Sequence, residues 1–469
     1  MKHFNDCDKV LAMSENTQTN SPPRENKMGT MPVPRLLLNM SLPIMLSTFV
    51  LACYNIVDTI FVARMGEEAL TAMGLAFPVQ TLMNAVAMGT AVGANALLAM
   101  KLGEKRFSLV NKIAMNAFFL AVCSFVVFFL LSFVFITPYL KTQATSDQII
   151  TFGEQYLRVI MAGCLAMFVA TTSDRLLQAT GRTFYTMITQ MAGAITNIIL
   201  DPLMIFGIGP FPRMGMSGAA LATIMGQTVS AVVSIAFNLT RNSDVHFSFR
   251  DFRPESSIII PIYKIGIPSI LLQSINSVTT YAMNLILGRF TSTAIAVYST
   301  YFKLHSFIFM PVFGLNTGMV PIVSYNYGAR KPQRIEQAVK TTLSIAAGVM
   351  VVGLVIFELF PDKLLGIFKA GDNMMAIGCR AMRSMAPSFL GAAVAITFGS
   401  TFQALGKSVL SMMVSFVRQI IVLLPVAYLL SLTGRLENVW WCFVIAEGVA
   451  VVLSAFFMRR IRRTIISKL

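Results

Sequence analysis

Residues 41–63 read SLPIMLSTFVLACYNIVDTIFVA, an apolar stretch that contains a single charged side chain, Asp58. A helix needs ~20 mostly apolar residues to cross the hydrocarbon core of a bilayer, so this stretch is long enough to span a membrane. Similar stretches follow along almost the whole chain, and they do not alternate between polar and apolar residues. This pattern favours repeated helical spans over a membrane barrel. The sequence therefore predicts an all-α integral membrane protein.

The composition of the 469-residue chain agrees with that prediction. Hydrophobic residues make up 55% of the chain and charged residues 12%, whereas soluble globular proteins carry about 25% charged residues. An ordinary cytosolic enzyme, a disordered chain and a disulfide-framed secreted domain are excluded. The formal net charge is +16, but Lys and Arg stand singly or in small groups between apolar runs. We therefore expect contacts with anionic membrane lipids and none with nucleic acid.

Twelve predicted spans set the domain organisation. We expect a disordered cytoplasmic tail over 1–34, a six-helix lobe over 35–242, a cytoplasmic linker over 243–256, a second six-helix lobe over 257–460 and a basic cytoplasmic C-terminus over 461–469. With the N-terminus inside, the inward segments hold 25 Lys and Arg and the outward segments hold 10. This bias places both termini in the cytoplasm and the chain in the cell membrane. The predicted spans are 36–62, 70–100, 108–137, 150–178, 182–207, 214–239, 258–288, 294–326, 336–361, 376–404, 408–432 and 437–457.

An internal repeat relates the two lobes. A shift of 225 residues without gaps superimposes seven identical residues. Because each unit holds an even number of spans, the repeats run in the same direction and are related by an axis along the membrane normal. That geometry places a cavity between the lobes and supports alternating access by rocking. The matched pairs are Pro43/Pro268, Arg64/Arg289, Gly89/Gly314, Gly93/Gly318, Gly103/Gly328, Gln178/Gln403 and Gly181/Gly406.

Polar side chains inside the N-terminal spans are candidates for ion coupling, because ionisable groups within a membrane are costly and usually functional. Asp58, Asp201 and Thr223 lie in spans 1, 5 and 6, each about 9–12 Å from the outer end of its helix. Asn197 lies one turn before Asp201 and adds an amide. Two carboxylates at low dielectric resist double ionisation, so the pair can bind and release a proton, and the same oxygens could hold Na⁺. The alternative is that each carboxylate is a structural pin.

Further polar residues are assigned more loosely. The substrate cavity is predicted to be lined by Tyr54, Asn55, Asp174 and Gln178. Asp174 is equally consistent with an ion pair with Arg175 at the inner membrane interface. The repeat carries Asp58 onto Met283, so the acidic chemistry is confined to one lobe. The C-terminal lobe holds its own polar group, which consists of Lys303, His305, Arg418 and Glu447.

Arg418 and Glu447 are expected to form an ion pair. Each lies ten residues into its span, and the two spans are antiparallel neighbours. Both side chains therefore lie near mid-membrane, where an unpaired charge would cost at least ~2.5 kcal/mol. The alternative is that each faces the cavity separately.

No enzymatic motif is found. The chain contains three histidines and no HExxH, GxSxG, Walker loop or GxGxxG sequence, so we expect neither an enzyme nor a cofactor.

Three segments resemble the MATE (multidrug and toxic compound extrusion) transporters. Residues 41–63 look like the first helix of that family, and Asn-Ile-Ile-Leu-Asp-Pro at 197–202 with Gly-Ala-Ala-Leu-Ala-Thr at 218–223 resembles its helices 5 and 6. The NorM-type branch has a glutamate in helix 7 and an aspartate in helix 10, where this chain has Asn276 and about Val394. The chain is therefore more similar to the DinF and MepA-like branches.

The resemblance implies a monomeric secondary transporter of twelve helices in two lobes. It would export cationic or amphipathic drugs by antiport against H⁺, or against Na⁺, and so contribute to antibiotic resistance. It places Asp58, Asn197, Asp201 and Thr223 at the cation site and Tyr54 on the adjoining cavity wall. One alternative is a lipid-linked oligosaccharide flippase or polysaccharide exporter of the same superfamily, which would favour a groove lined by several arginines. A passive channel is the other alternative.

Overall fold

The computed structural model describes residues 26–143, 146–247, 252–368 and 371–469. Within these ranges, ten helices are long and apolar enough to cross a membrane, and two bent helix pairs bring the number of spans to twelve. The all-helical membrane fold is therefore confirmed. The spans are α1 Val33–Ala63, α2 Glu67–Gly103, α3 Phe107–Val134, α4 Asp147–Gly163 with Leu165–Ala179, α5 Thr183–Phe206, α6 Met216–Thr240, α7 Ser256–Gly288, α8 Ser292–Gly328, α9 Pro332–Leu359, α10 Asp372–Met385 with Ser388–Ala404, α11 Ser408–Phe416 continuing to Leu424–Ser431, and α12 Cys442–Thr464. Short helices over Lys27–Thr30, Ile136–Gln143, Pro361–Gly366, Leu436–Val439 and Ile466–Lys468 complete the set.

Helix boundaries recur at the predicted repeat distance of 225 residues. The α2 helix covers Glu67–Gly103 and its counterpart α8 covers Ser292–Gly328, so both ends are shifted by the same amount. The turns that follow them also match, because Lys105 and Arg330 both adopt a left-handed backbone, with φ of 60° and 54°. The two lobes therefore share one topology.

Three spans depart from the straight helices that hydropathy alone predicts. The α4 helix bends by 48° after Gly163, and α10 bends by 50° beside Pro387, which has no N–H to donate. A Cβ at Gly163 would lie 2.3 Å from Ile224 Cδ1, so the bend brings α4 against α6 where only glycine fits. In α11 the segment Val417–Leu423 is π-helical, a local widening that often accompanies functional side chains.

The two lobes touch on the membrane side where the described chain begins at Asn26 and ends at Leu469, which we call the terminal side. A Cβ at Gly103 in α2 would lie 2.0 Å from the carbonyl oxygen of Tyr325, and one at Gly328 in α8 would lie 1.9 Å from that of Met100. Side chains are therefore excluded where α2 and α8 cross. Close contacts between the lobes also occur at Gly89, Gly93, Gly314 and Gly318.

The lobes separate in the other half of the membrane. The faces of α1 and α8 that touch on the terminal side continue to Ile56 and Phe307, which are 51% and 48% exposed. We call the space between these faces the interlobe gap. It is closed on the terminal side and open on the opposite side.

Part of the predicted disordered tail is ordered and links the lobes. Asn26 Nδ2 donates to the carbonyl of Thr180 at 3.1 Å, and Asn326 Nδ2 donates to the carbonyl of Met28 at 3.0 Å. These bonds to both lobes hold the helix Lys27–Thr30 in place, so order begins before residue 34, contrary to the prediction. Residues 1–25 of that tail and 248–251 of the predicted linker lie outside the described residues.

Candidate functional site

Two aspartates from different helices meet inside the N-terminal lobe. Asp58 in α1 is 4% exposed, and Asp201 in α5 is fully buried. Their carboxyl groups lie in hydrogen-bonding contact with one another. Such a bond requires a proton on one partner, since two carboxylates offer only acceptors. The geometry therefore suits a site that holds one proton between two side chains.

Asn197 and Thr223 enclose the Asp201 side of the pair. In the amide orientation that satisfies both neighbours, Asn197 Nδ2 donates to Asp201 Oδ2 at 3.0 Å and its Oδ1 accepts from the Thr223 backbone N–H at 3.1 Å. The close crossing of α5 and α6 makes this possible, because a Cβ at Gly193 would lie only 2.8 Å from the carbonyl oxygen of Gly226. The four residues predicted for ion coupling therefore lie in one cluster.

The cluster offers few ligands for a multivalent metal ion. Among the described residues, no group of three or more His, Cys, Asp or Glu side chains is placed to hold a metal ion. The oxygens of two carboxyl groups, one amide and one hydroxyl are hard ligands that suit a proton or Na⁺.

A cavity of about 330 Å³ lies beside Asp58 in the N-terminal lobe. Tyr54 and Asn55, two of the residues predicted to line the substrate cavity, line this one, and Thr223 lies on its wall. The coupling cluster and the cavity therefore share a wall, so a change of charge at Asp58 acts directly on whatever occupies the cavity. The other lining residues are Thr59, Met73, Phe77, Gln80, Thr81, Met83, Asn84, Tyr156, Ile160, Cys164, Met167 and Gln227.

Six polar residues of this wall were not predicted, namely Thr59, Gln80, Thr81, Asn84, Tyr156 and Gln227. Gln80 Nε2 donates to Tyr156 Oη at 3.0 Å, which fixes both side chains at the cavity edge. A signal for two of them exists in the sequence, since Gln80 and Asn84 are four residues apart in the apolar run of α2 and so share a helix face.

Asp174 and Gln178, which were predicted to line the substrate cavity, are not among its lining residues. The Asp174 carboxylate accepts from Thr189 Oγ1 at 2.6 Å and from Gln190 Nε2 at 3.0 Å, so it lies between α4 and α5. Gln178 Oε1 accepts from Arg175 Nη1 at 3.0 Å. Asp174 and Gln178 therefore do not line this cavity, because Asp174 bonds to α5 and Gln178 bonds to Arg175 of its own helix.

The polar residues of the C-terminal lobe divide into separate environments. Arg418 Nη1 donates to Glu447 Oε1 at 2.6 Å, which confirms the predicted ion pair. His305 stacks on Phe309 with ring centroids 3.5 Å apart inside an aromatic cluster. Lys303 is exposed on another face of the same helix. Of these four residues, only Arg418 and Glu447 are therefore in direct contact with each other.

Comparison with known proteins gives consistent results along the chain. The family model described as MatE matches residues 43–203 and 268–429, one segment in each lobe. A FAD transporter of Shewanella oneidensis is 24% identical over 92% of this chain and 95% of its own length. The multidrug export protein MepA of Staphylococcus haemolyticus is 22% identical over 91% of this chain and 94% of its own. A solved structure described as the outward-facing conformation of a multidrug resistance MATE family transporter superimposes with a TM-score of 0.88 at 23% identity, covering 96% of this chain and 100% of that one.

Proposed function

Because this chain belongs to the MATE family of membrane transporters, we propose that it exports cationic and amphipathic compounds in exchange for protons that flow inwards. The observation that carries the proposal is the contact between the carboxyl groups of Asp58, which lines the cavity, and Asp201, which lies buried beside it. Two of the relatives are a FAD transporter and a multidrug export protein, which supports small organic molecules as cargo.

Proton binding at this pair would change the cavity's hold on a cation. With one proton the pair carries a single negative charge, and with two it is neutral. A cationic drug in the adjoining cavity is attracted in the first state and released in the second. Loss of the last shared proton would leave two carboxylates in contact, which is costly at low dielectric. Proton entry and drug release are thereby coupled, while Na⁺ in place of H⁺ is the alternative.

The lobe arrangement supports alternating access. The excess of Lys and Arg on the terminal side, 25 against 10, favours a cytoplasmic location for both termini in the cell membrane. The closed side of the structure would then face the cytoplasm and the interlobe gap would open outwards. Rocking of one lobe against the other would expose the same site to each side in turn.

The contacts of two arginines argue against the flippase alternative. Binding a pyrophosphate would require free guanidinium groups in the gap. Arg175 donates to Gln178, and Arg418 is paired with Glu447. These two arginines of the spans are therefore already engaged.

The test uses purified protein in proteoliposomes, with ethidium efflux measured under a pH gradient and, separately, under a Na⁺ gradient. We expect efflux under the pH gradient alone. Asp58→Asn and Asp201→Asn should each insert normally and lose gradient-driven efflux, because neither can exchange the shared proton. A tenfold shift in a two-state population requires about 1.4 kcal/mol of coupling free energy. Even a partial loss of the pair should therefore reduce the rate of efflux by about tenfold.

Asp372→Asn is the matched control, since Asp372 is exposed at the start of α10 and far along the chain from the pair. It should transport like the wild type. Wild-type efflux from both Asp58→Asn and Asp201→Asn would locate coupling elsewhere, and efflux driven only by Na⁺ would replace the proton. Ethidium conductance without counter-ion flux would identify a channel.

A further inference from the structure

Lys303 lies on the face of α8 that borders the interlobe gap. On the terminal side this face packs on α1, where a Cβ at Gly318 would lie 2.4 Å from Ser41 Oγ and one at Gly314 would lie 2.7 Å from Met45 Cγ. Lys303 precedes Gly314 by eleven residues, which is three helical turns, so it lies on the same face. It therefore faces α1 across the open half of the gap.

The surfaces around Lys303 are largely apolar, apart from the exposed Ser299 one turn before it on α8. Ile56 follows Met45 in α1 by eleven residues and so lies on the α1 face that looks towards α8. Ile56 is 51% exposed and Phe49, on the same face, is 52% exposed. Phe307 lies one turn from Lys303 on α8 and is 48% exposed. Lys303 is thus a cation within an aromatic and aliphatic surface.

The charge of Lys303 is not neutralised by the part of the chain that the structure describes. Lys303 is exposed and makes no hydrogen bond or ion pair with a described residue. Asp58 follows Met45 by thirteen residues and so points away from α8, into the N-terminal lobe. Glu447 is bound to Arg418. A lysine about 16 Å along α8 from Ser292 is too deep to face lipid at low cost, which favours a position of its ammonium group in the interlobe gap.

We propose that Lys303 binds the anionic group, a phosphate or carboxylate, of a substrate whose apolar body lies against Phe307 and Ile56. A few polar groups in an otherwise apolar concave surface are typical of small-molecule sites, and an ammonium is a compact partner for a phosphate. The inference rests on the proposed transport function and adds a feature of the cargo. The amphipathic substrates then include planar anions and zwitterions, and the cationic site in the N-terminal lobe is separate.

The test compares riboflavin monophosphate with riboflavin, which share one ring system and differ by the phosphate. Binding to the purified protein is followed by flavin fluorescence polarisation in nanodiscs of phosphatidylcholine, so that no anionic lipid competes. The wild type should bind the phosphate form about tenfold more tightly or better. Lys303→Gln should abolish that preference, and Lys303→Arg should retain most of it.

Lys141→Gln is the control, because Lys141 is an exposed lysine outside the spans, and it should keep the preference. Equal affinity of the wild type for both flavins, or an unchanged preference in Lys303→Gln, would overturn the inference. Loss of the preference on adding phosphatidylglycerol would assign Lys303 to a lipid headgroup and overturn it as well. No ion gradient is applied, so the result is independent of whether Asp58 and Asp201 couple transport to protons.

Discussion

Asp174 is a buried acid whose hydrogen bonds indicate a structural role between α4 and α5. Its two carboxylate oxygens accept hydrogen bonds from Thr189 and Gln190 of α5, and the residue is 5% exposed. Asp58, in contrast, has a buried oxygen, Oδ1, that finds no hydrogen-bond partner among the residues the structure describes. A fully bonded carboxylate holds two helices together, whereas a carboxyl with a vacant acceptor at a cavity wall is available to a proton or ligand.

We predict that Asp174→Asn lowers stability without uncoupling transport. The asparagine amide keeps one acceptor for Gln190 and presents N–H groups to Thr189 Oγ1, whose hydroxyl can accept while it donates to the Thr186 carbonyl. Hydrogen bonds to a carboxylate are thus replaced by weaker neutral ones, at a cost of about 1 kcal/mol. Thermal unfolding in detergent should show the loss, while ethidium efflux per folded molecule under a pH gradient should persist. Asp372→Asn, at an exposed site, should change stability by less than about 0.5 kcal/mol. Abolished efflux from well-folded Asp174→Asn would assign this residue to coupling instead.

The sequence predicts the depth of a side chain in the membrane better than its direction around the helix. Asp58 and Asp201 could be expected to meet, because each is an isolated acid in an apolar run at a similar depth. Asp174 also lies in an apolar run, but its direction depends on the 48° bend of α4 after Gly163. Hydropathy carries no information about that bend. Gln178 lies in the same half of α4 and bonds to Arg175 instead of lining the cavity.

At the scale of elements, the distortion of α11 is linked to the ion pair that it carries. Arg418 lies in the π-helical segment Val417–Leu423 and reaches Glu447 on α12. Gly391 of α10 allows the close approach, since a Cβ there would lie 2.9 Å from Glu447 Cβ. Three helices of the C-terminal lobe are therefore joined at one charged contact. The pair could be predicted from equal depth, whereas the π-helical turn could not.

Breaking this ion pair should destabilise the lobe. Arg418→Glu or Glu447→Arg places two like charges in a largely buried contact, so each should cost about 3–5 kcal/mol. The double reversal should recover a substantial part of that loss, and thermal unfolding of the three variants measures the recovery. Arg462 and Glu336 provide the matched pair, being 64% and 42% exposed, and reversals there should cost less than about 1 kcal/mol. A double variant that recovers nothing would argue against direct pairing as the stabilising contact.

At the scale of the molecule, the terminal side is closed by two kinds of contact. Glycines allow the α2 and α8 backbones to approach, and the segment before α1 bonds to both lobes. Arg334 Nη2 donates to the carbonyl of Met31 at 2.7 Å on the C-terminal lobe side, and Asn26 Nδ2 reaches Asp244 Oδ2 at 3.1 Å on the other. The repeat identified Gly103 and Gly328 from the sequence. The bridging role of residues 26–31 could not be foreseen, because it depends on partners about 150 to 300 positions away along the chain.

We predict that Gly328→Ala shifts the protein away from the state that is closed on the terminal side. The new Cβ would lie 1.9 Å from the carbonyl oxygen of Met100, a backbone atom that can move only if α2 and α8 separate. Overpacking of this kind costs about 1–3 kcal/mol, which corresponds to a roughly 5–150-fold change in the equilibrium between states.

The separation of the two helix ends can be measured by pulsed electron paramagnetic resonance. Spin labels are attached at Lys105→Cys and Arg330→Cys in a background without the native cysteines. The short-distance population should fall in Gly328→Ala, whereas Gly74→Ala, on α2 with nothing within 4 Å of its Cβ position, should leave the distribution unchanged. An unaltered distribution in Gly328→Ala would mean that this glycine contact does not set the balance between states.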